Sequence, residues 1–385
     1  MTNTSFDVIV IGVGSMGSSA CYFLSQQGHK VLGLEQFDIT HGQGAHTGQS
    51  RIIRKAYFED PRYVPLLKQA YKNWKSLEDE TGIQLYYRTG LVYFGKPDKL
   101  VMKNIHQSAS LYDIPLENIN SSSTHQRFPQ FKLPPDFETL FEPDAGFISP
   151  EKAILLYTEQ ATKTGAEIHT KEKVVAWKKE GSGIVVTTDK KIYHCSKLII
   201  TAGPWAGKII PGLADKIKVT RQFIAWIKPK NWDDFILNNF PCWMIADDER
   251  PGMYYGFPAL PVSIFGEPRG LKLAHHYPGV VTDPDQVNRQ TTRDEEENLE
   301  YALNKYLPGC FESVISTKTC LYANTPDENF IIDHLPGYEK LVVIACGFSG
   351  HGFKFVSVVG EILAELITDG ITKQPIAFLN AKRFA

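Results

Sequence analysis

Residues 6–17 read Phe6-Asp7-Val8-Ile9-Val10-Ile11-Gly12-Val13-Gly14-Ser15-Met16-Gly17. The near-continuous apolar run marks a strand buried on both faces, as in parallel sheets. Three glycines follow at once and open a helix expected to reach about Gln27, with Gly28 as its stop. Glycines at 12, 14 and 17 permit a tight turn, close backbone approach to a pyrophosphate, and close helix packing. The helix start offers phosphates its unpaired N–H groups and positive dipole end. Val31-Leu32-Gly33-Leu34-Glu35 forms a second strand. Glu35 closes it 18 residues after Gly17, near the about 20 expected for an acid that accepts ribose hydroxyls and repels a 2′-phosphate. Together these features predict a dinucleotide site in a Rossmann-like unit, with NADP disfavoured.

Working outward, a Gly- and His-rich loop (40–48) precedes Arg51-Ile52-Ile53-Arg54. Tyr63, Leu66, Leu67, Ala70, Trp74 and Leu77 recur at helical spacing and predict a helix from Pro61 to about Glu80. Residues 91–145 read as short strand pieces between turns, starting with Leu91-Val92-Tyr93-Phe94. A helix is expected over 149–164, then three short strands (174–178, 184–188, 192–195) around tight turns. A second buried strand is expected at Leu198-Ile199-Ile200-Thr201-Ala202-Gly203. Residues 221–315 again read as β-rich, apart from a surface helix over 292–306 that Thr292 and Glu295 open as a capping box. Leu341-Val342-Val343-Ile344-Ala345 is a third buried strand. It leads through a glycine-rich segment, 347–352, into an apolar-faced last helix. The alternation predicts two discontinuous domains: an α/β dinucleotide-binding unit (1–90, 146–220, 316–385) and a β-rich unit (91–145, 221–315), so the chain as a whole joins α/β and α+β texture.

Composition excludes several classes. With 43% hydrophobic and 22% charged residues the chain is ordinary globular material. A formal charge of −2 and a pI near 6.6 call for neither nucleic acid nor an acidic membrane surface. Six scattered cysteines show no CxxC pair and no zinc-like spacing, so a reducing compartment fits. Residues 1–6 lack the basic region of a leader, and no stretch approaches the about 18 apolar residues of a membrane span. A soluble, cytoplasmic protein is expected. No metal is expected either, because His41 and His46 lack carboxylates at ligand spacing.

On the residues alone, NAD and FAD both stay open. Two further strands end in glycine segments, Thr201-Ala202-Gly203 and 347–352, and the second opens a helix whose N-terminus suits negative charge on a flavin ring. Length and the three-strand meander lean towards FAD. Longer motifs are more specific: Ser50-Arg51-Ile52-Ile53-Arg54-Lys55-Ala56-Tyr57, Tyr254-Tyr255-Gly256-Phe257-Pro258, Leu271-Lys272-Leu273, Cys320-Leu321-Tyr322, Asp327-Glu328-Asn329-Phe330-Ile331-Ile332-Asp333, and Gly347-Phe348-Ser349-Gly350-His351-Gly352-Phe353-Lys354-Phe355. By these the chain resembles, end to end, the monomeric sarcosine oxidase and N-methyltryptophan oxidase group, within the glycine oxidase and D-amino-acid oxidase superfamily of flavoproteins. The resemblance implies FAD, an FAD-binding domain interleaved with a substrate domain, and a monomer. It also implies oxidation of an N-methyl amino acid by O2 to the demethylated amino acid, formaldehyde and hydrogen peroxide.

The resemblance also implies roles. Cys320 matches the cysteine linked covalently to the flavin 8α carbon, for which a thiolate is the nucleophile. Arg54 and Lys354 match the pair that holds the substrate carboxylate, a bidentate fork beside a point charge. Lys272 matches the lysine used for oxygen activation. His276 and Tyr255 match groups near the substrate amine, while Tyr57, Met244, Tyr322 and Gly350 line the same cavity. Ser50 and Arg51 stand beside the flavin. Gly12, Gly14, Ser15, Met16, Gly17, Glu35, Val174, Ala202, Gly203, Gly347, His351 and Gly352 complete the expected cofactor contacts. Two departures stand out. Thr47 replaces a histidine common in the group, and the loop 259–270 is longer than usual. The rival readings are an NAD-dependent dehydrogenase, another FAD amine oxidase acting on glycine, D-amino acids or other secondary amines, and a non-catalytic FAD-binding module.

Overall fold

The computed structural model describes residues 4–276 and 279–384. Residues 1–3, part of the stretch read for a leader, lie outside the described residues.

An eight-stranded sheet carries the dinucleotide motif. Ser5–Ile11 lies between Val31–Leu34 and Ile192–Ile200, parallel to both, with Val10 opposite Gly33 on one side and Ile199 on the other. Its residues alternate between two cores: Val8 and Val10 enter one, Ile9 and Ile11 the other. That double burial is the reason the stretch is apolar without interruption. Glu167–His169 extends one edge. The antiparallel meander Val174–Glu180, Gly183–Thr188 and Ile192–Ile200 extends the other. Val342–Cys346 joins parallel to the end of Ile192–Ile200.

Two expected strands, 192–195 and 198–203, are one. The polar pair Ser196-Lys197 reads as a break, but the strand passes through it. Its first half alternates exposed and buried against the meander, and its last three residues are buried between neighbours.

A nine-stranded sheet draws on two stretches of chain. Cys242–Ile245 joins Leu91–Gly95 in parallel, and Lys218–Pro229 pairs along its whole length with Phe311–Asn324. The latter strand crosses the expected boundary at 315/316. Residues 91–145 are less purely β than expected: Leu100–Tyr112 is a helix with Met102, Ile105 and Ala109 buried at three- and four-residue spacing. Ser121–Arg127 is a second helix. The surface helix Arg293–Tyr306 is opened by the expected capping box, with Thr292 N–H donating to Glu295 Oε2 at 2.9 Å. A small third sheet, Arg51–Ile53 with Gly146–Ile148 and Tyr86–Tyr87, brings Arg51 and its neighbours to the seam of the large ones.

Candidate active site

Backbone builds the cofactor end. Gly12 takes φ +87°, and a Cβ there would stand 2.7 Å from the Thr201 carbonyl oxygen; one on Gly17 would stand 1.9 Å from the Gly12 carbonyl oxygen. The protein itself demands those two glycines. Gly14 differs. No protein atom lies within 4 Å of its Cβ position, because it borders a cavity of about 530 Å³. Gly12, Ser15, Met16, Glu35, Val174, Ala202 and Gly203 line the same cavity. The Glu35 carboxylate accepts the N–H groups of Val13 and Phe37, both at 3.0 Å, which fixes it at the strand end. Burial raises its pKa while those N–H groups pull it back.

Gly347, Gly350, His351, Gly352 and Lys354 also line the cavity. Phe353–Phe355 is a 3₁₀ turn and the α-helix starts at Val356, so Lys354 precedes the helix rather than sitting just inside it. His46 adds a diagnostic atom. Its Nε2 is buried in the cavity wall with no hydrogen-bond partner, and burial with neighbouring His41 lowers its pKa to about 4. A neutral imidazole nitrogen without a protein partner suits a bound polar group. The Gly14 opening, the anchored Glu35 and this orphan nitrogen together fit a dinucleotide.

Charged side chains crowd the other end. Arg54, only 2% exposed, donates to Ala56 O at 3.0 Å and to both Glu59 carboxylate oxygens at 2.7 and 2.5 Å. Its guanidinium lies 4.4 Å from the Tyr57 ring centroid and 3.9 Å from that of Phe58. Burial works against the Glu59 charge, but Arg54, then His351 and Lys354, hold its pKa down to about 2. Lys354 Nζ donates to His351 O at 2.7 Å. Burial and the Arg54 charge lower its pKa to about 7, against the pull of Glu59. His276, lowered to about 4 chiefly by burial, shares a 3.1 Å hydrogen bond between Nδ1 and the Tyr322 hydroxyl. Tyr322 in turn pairs with Tyr255. Met244, Tyr255, His276 and Tyr322 border the cavity with Arg51 and Arg54.

Four expected site residues, Gly17, Ser50, Tyr57 and Lys272, stand behind the wall rather than on it. Gly17 supports the turn. Tyr57 is fully buried and bonds through its hydroxyl to His351 Nδ1. Lys272 is 1% exposed, with Nζ donating to Gly48 O (2.7 Å), Ser50 O (2.6 Å) and Ser50 Oγ (3.2 Å). Cys320, by contrast, lines the cavity. Burial raises its thiol pKa, while Arg51, Lys272, Arg289 and Lys318 favour the thiolate.

Comparison with known proteins resolves the cofactor. The family model described as FAD dependent oxidoreductase matches residues 7–366. The chain belongs to that family. This FAD-dependent oxidoreductase is 37% identical over 382 residues to the monomeric sarcosine oxidase of Streptomyces avermitilis, covering 99% of this chain and 98% of the relative. It is 33% identical over 381 residues to the N-methyl-L-tryptophan oxidase of Yersinia pestis, covering 98% and 99%. Among solved structures, the amino acid oxidase NikD in its open form superposes with a TM-score of 0.85 at 23% identity, covering 98% of each chain. The L-proline dehydrogenase of P. horikoshii gives 0.84 at 23%, covering 100% and 98%. These two show the same fold.

Sequence reading missed several residues of the oxidoreductase site. Thr201 ties the two cofactor turns together, its hydroxyl reaching Ile11 O (3.1 Å) and Gly12 O (2.8 Å). Glu59 was hidden by its neighbour, since Phe58-Glu59-Asp60-Pro61 reads as a helix start. Asp60 does cap the turn Pro61–Tyr63, accepting Arg62 N–H. Its spacing of five from Arg54 was the available signal.

Proposed function

We propose that the protein oxidises small N-methyl amino acids of the sarcosine or N-methyl-L-tryptophan type, with O2 as acceptor. The observation that carries this reading is the pair of buried cations, Arg54 and Lys354, at one end of the cavity whose other end fits FAD. Gly12, Gly14, Glu35 and Gly203 would hold FAD, which would supply a hydride acceptor for the N-methyl carbon and a two-electron donor for O2, giving hydrogen peroxide.

The remaining steps belong to the chain's own groups. Arg54 and Lys354 anchor the substrate carboxylate, which must compete with Glu59 for the Arg54 fork. The same two cations disfavour an ammonium nearby, so they favour the lone-pair form of the amine that oxidation requires. His276 and Tyr255 contact substrate near that amine. Lys272 has its three donors engaged, so it supplies charge rather than a hydrogen bond, and that charge assists reoxidation by O2. Four cations facing Cys320 support its attachment to the flavin. Thr47, the departure noted in sequence, contributes its carbonyl to Arg51 Nη2 at 2.6 Å.

Segments 1–90, 146–220 and 316–385 form the FAD-binding domain and 91–145 with 221–315 the substrate domain, except that the paired strands Lys218–Pro229 and Phe311–Asn324 carry the substrate domain's sheet across the 220 and 315 boundaries. The enzyme acts as a monomer in the cytoplasm, where its six buried, unpaired cysteines stay reduced. Among the described residues no helix is long and apolar enough to cross a membrane.

One preparation tests both activity and attachment. Peroxide release is measured with sarcosine, N-methyl-L-tryptophan, glycine and a D-amino acid, and the protein is then precipitated with acid. Peroxide from an N-methyl substrate, with yellow colour kept in the pellet, is expected. No peroxide from any of them rejects the function, and flavin left wholly in the supernatant rejects the Cys320 link.

A further inference from the structure

Just before the strand Arg51–Ile53 the chain makes a γ-turn. Ser50 N–H donates to Gly48 O at 2.7 Å, and Gln49 between them takes φ +66°. A three-residue turn of this hand is rare and strained, and Gln has none of glycine's freedom there. Such a conformation persists only where its surroundings over-determine it.

Here two groups do so. Below the turn, the Glu151 carboxylate at the start of the helix Pro150–Lys163 accepts Gly48 N–H at 2.6 Å and Gln49 N–H at 3.1 Å. Above it, the Gln49 side-chain amide donates to Gly266 O (2.8 Å) and Pro268 O (3.2 Å) and accepts Trp226 Nε1–H (2.8 Å). Those carbonyls belong to the long loop 259–270. The outcome is that Gly48 O and Ser50 O both point at Lys272 Nζ.

We propose that Gln49 and Glu151 are positioning residues for Lys272, holding the strained turn whose carbonyls set where the ammonium sits. The inference rests on the oxygen-reactive role given to Lys272 above. The charged and titratable groups facing Lys272 are Arg51 on Arg51–Ile53, Glu151 on its helix, Cys320 on Phe311–Asn324 and Cys242 on Cys242–Ile245. The rings of Phe257 and Trp226 complete its surroundings, at 4.4 and 5.9 Å. Burial, then Arg51, lowers the Lys272 pKa well below its ordinary value, and Glu151 opposes that shift. Neutralising Glu151 therefore moves Lys272 deprotonation to lower pH.

The test uses the flavin-loaded enzyme and the variants Gln49→Asn, Glu151→Gln and Lys272→Met. Asn tolerates positive φ but its amide is one methylene too short to span the loop carbonyls. Three quantities are measured: anaerobic reduction by substrate, reoxidation by O2, and the pH titration of the oxidised flavin's visible spectrum. Lys272→Met should slow reoxidation and abolish a spectral transition, which assigns that transition to Lys272. Gln49→Asn should slow reoxidation about tenfold, the scale of a small misplacement of a working group, with anaerobic reduction within about twofold. Glu151→Gln should move the transition to lower pH. If Lys272→Met is slow but the other two match wild type, the positioning role falls and the reading of Lys272 stands. If Lys272→Met reoxidises normally, the underlying reading falls. Equal slowing of reduction and reoxidation in Gln49→Asn, or an unmoved transition in Glu151→Gln, overturns the inference. Should Gln49→Asn not fold, the Glu151→Gln titration decides alone.

Discussion

The two ends of the cavity are made in opposite ways. At the dinucleotide end the working parts are backbone: a glycine turn, a helix start, and one carboxylate fastened by two N–H groups. At the substrate end they are side chains, with Arg54, Lys354 and His351 buried, Glu59 and His276 half-buried beside them, and all five shifting one another's ionisation. Backbone sites tolerate few residue types but hold no charge in reserve. Side-chain sites allow more residues, and their function depends on which partner each charge has at the moment.

The sharpest way to break this contrast is to remove the fork. Arg54→Met should lower kcat/KM for an N-methyl amino acid by about two orders of magnitude, as two charge-assisted hydrogen bonds at about 1.5–3 kcal/mol each give way partly offset by release of Glu59. An N-methyl amine lacking a carboxylate should lose little. Steady-state peroxide assays on both substrates check this. Equal losses would mean that the charged end does not read a carboxylate at all.

A pair of glycine variants sharpens the other half. Gly17→Ala drives a Cβ to 1.9 Å from the Gly12 carbonyl oxygen, so the fold itself should lose about 1–3 kcal/mol. Gly14→Ala meets no protein atom within 4 Å, so the chain prepared without flavin should melt as wild type while incorporating less FAD. Thermal melting without flavin, set beside flavin content after purification, separates the two. If Gly14→Ala lowers the melting temperature as far as Gly17→Ala, the cavity wall is structural there rather than a cofactor contact.

The same contrast explains what could be read in advance. Residues 6–35 announce their strand, turn, helix and acid because each constraint is local and falls at fixed spacing. The capping box at Thr292 was legible for the same reason. The strand Ile192–Ile200 reads as two in sequence because its halves have different neighbours, a fact held in the sheet and not in the segment. Leu100–Tyr112 was missed where a three-residue apolar spacing lay inside β-rich text. At the substrate end the resemblance named Arg54 and Lys354, yet a spacing of five was the one trace of Glu59 in the Arg54 fork, and no periodicity singled it out. Nor did the sequence around Gln49 disclose a turn fixed from Glu151, Trp226 and the 259–270 loop. Sites assembled from distant segments leave no periodic trace.

The smallest expected effect is also the most selective. Lys354 sits near pKa 7, whereas Glu59, His351 and His276 lie at about 2, 3 and 4 and Arg54 is held above its ordinary value. Of these five groups only Lys354 changes charge between pH 6 and 9. Its pKa is depressed, so the ammonium is present below about 7 and is lost as pH rises through it. A carboxylate without an amine, such as acetate, removes the substrate's own titration from the measurement. Its Kd, followed by perturbation of flavin absorbance, should be flat towards pH 6 and rise above pH 7, by at most about tenfold per unit. Bound carboxylate stabilises the ammonium, so the apparent pKa in the complex should lie higher than in the free enzyme. Lys354→Met should bind more weakly with a flat profile. A rising profile that survives in Lys354→Met would assign the titration to another group, and the charged end would then work through Arg54 alone.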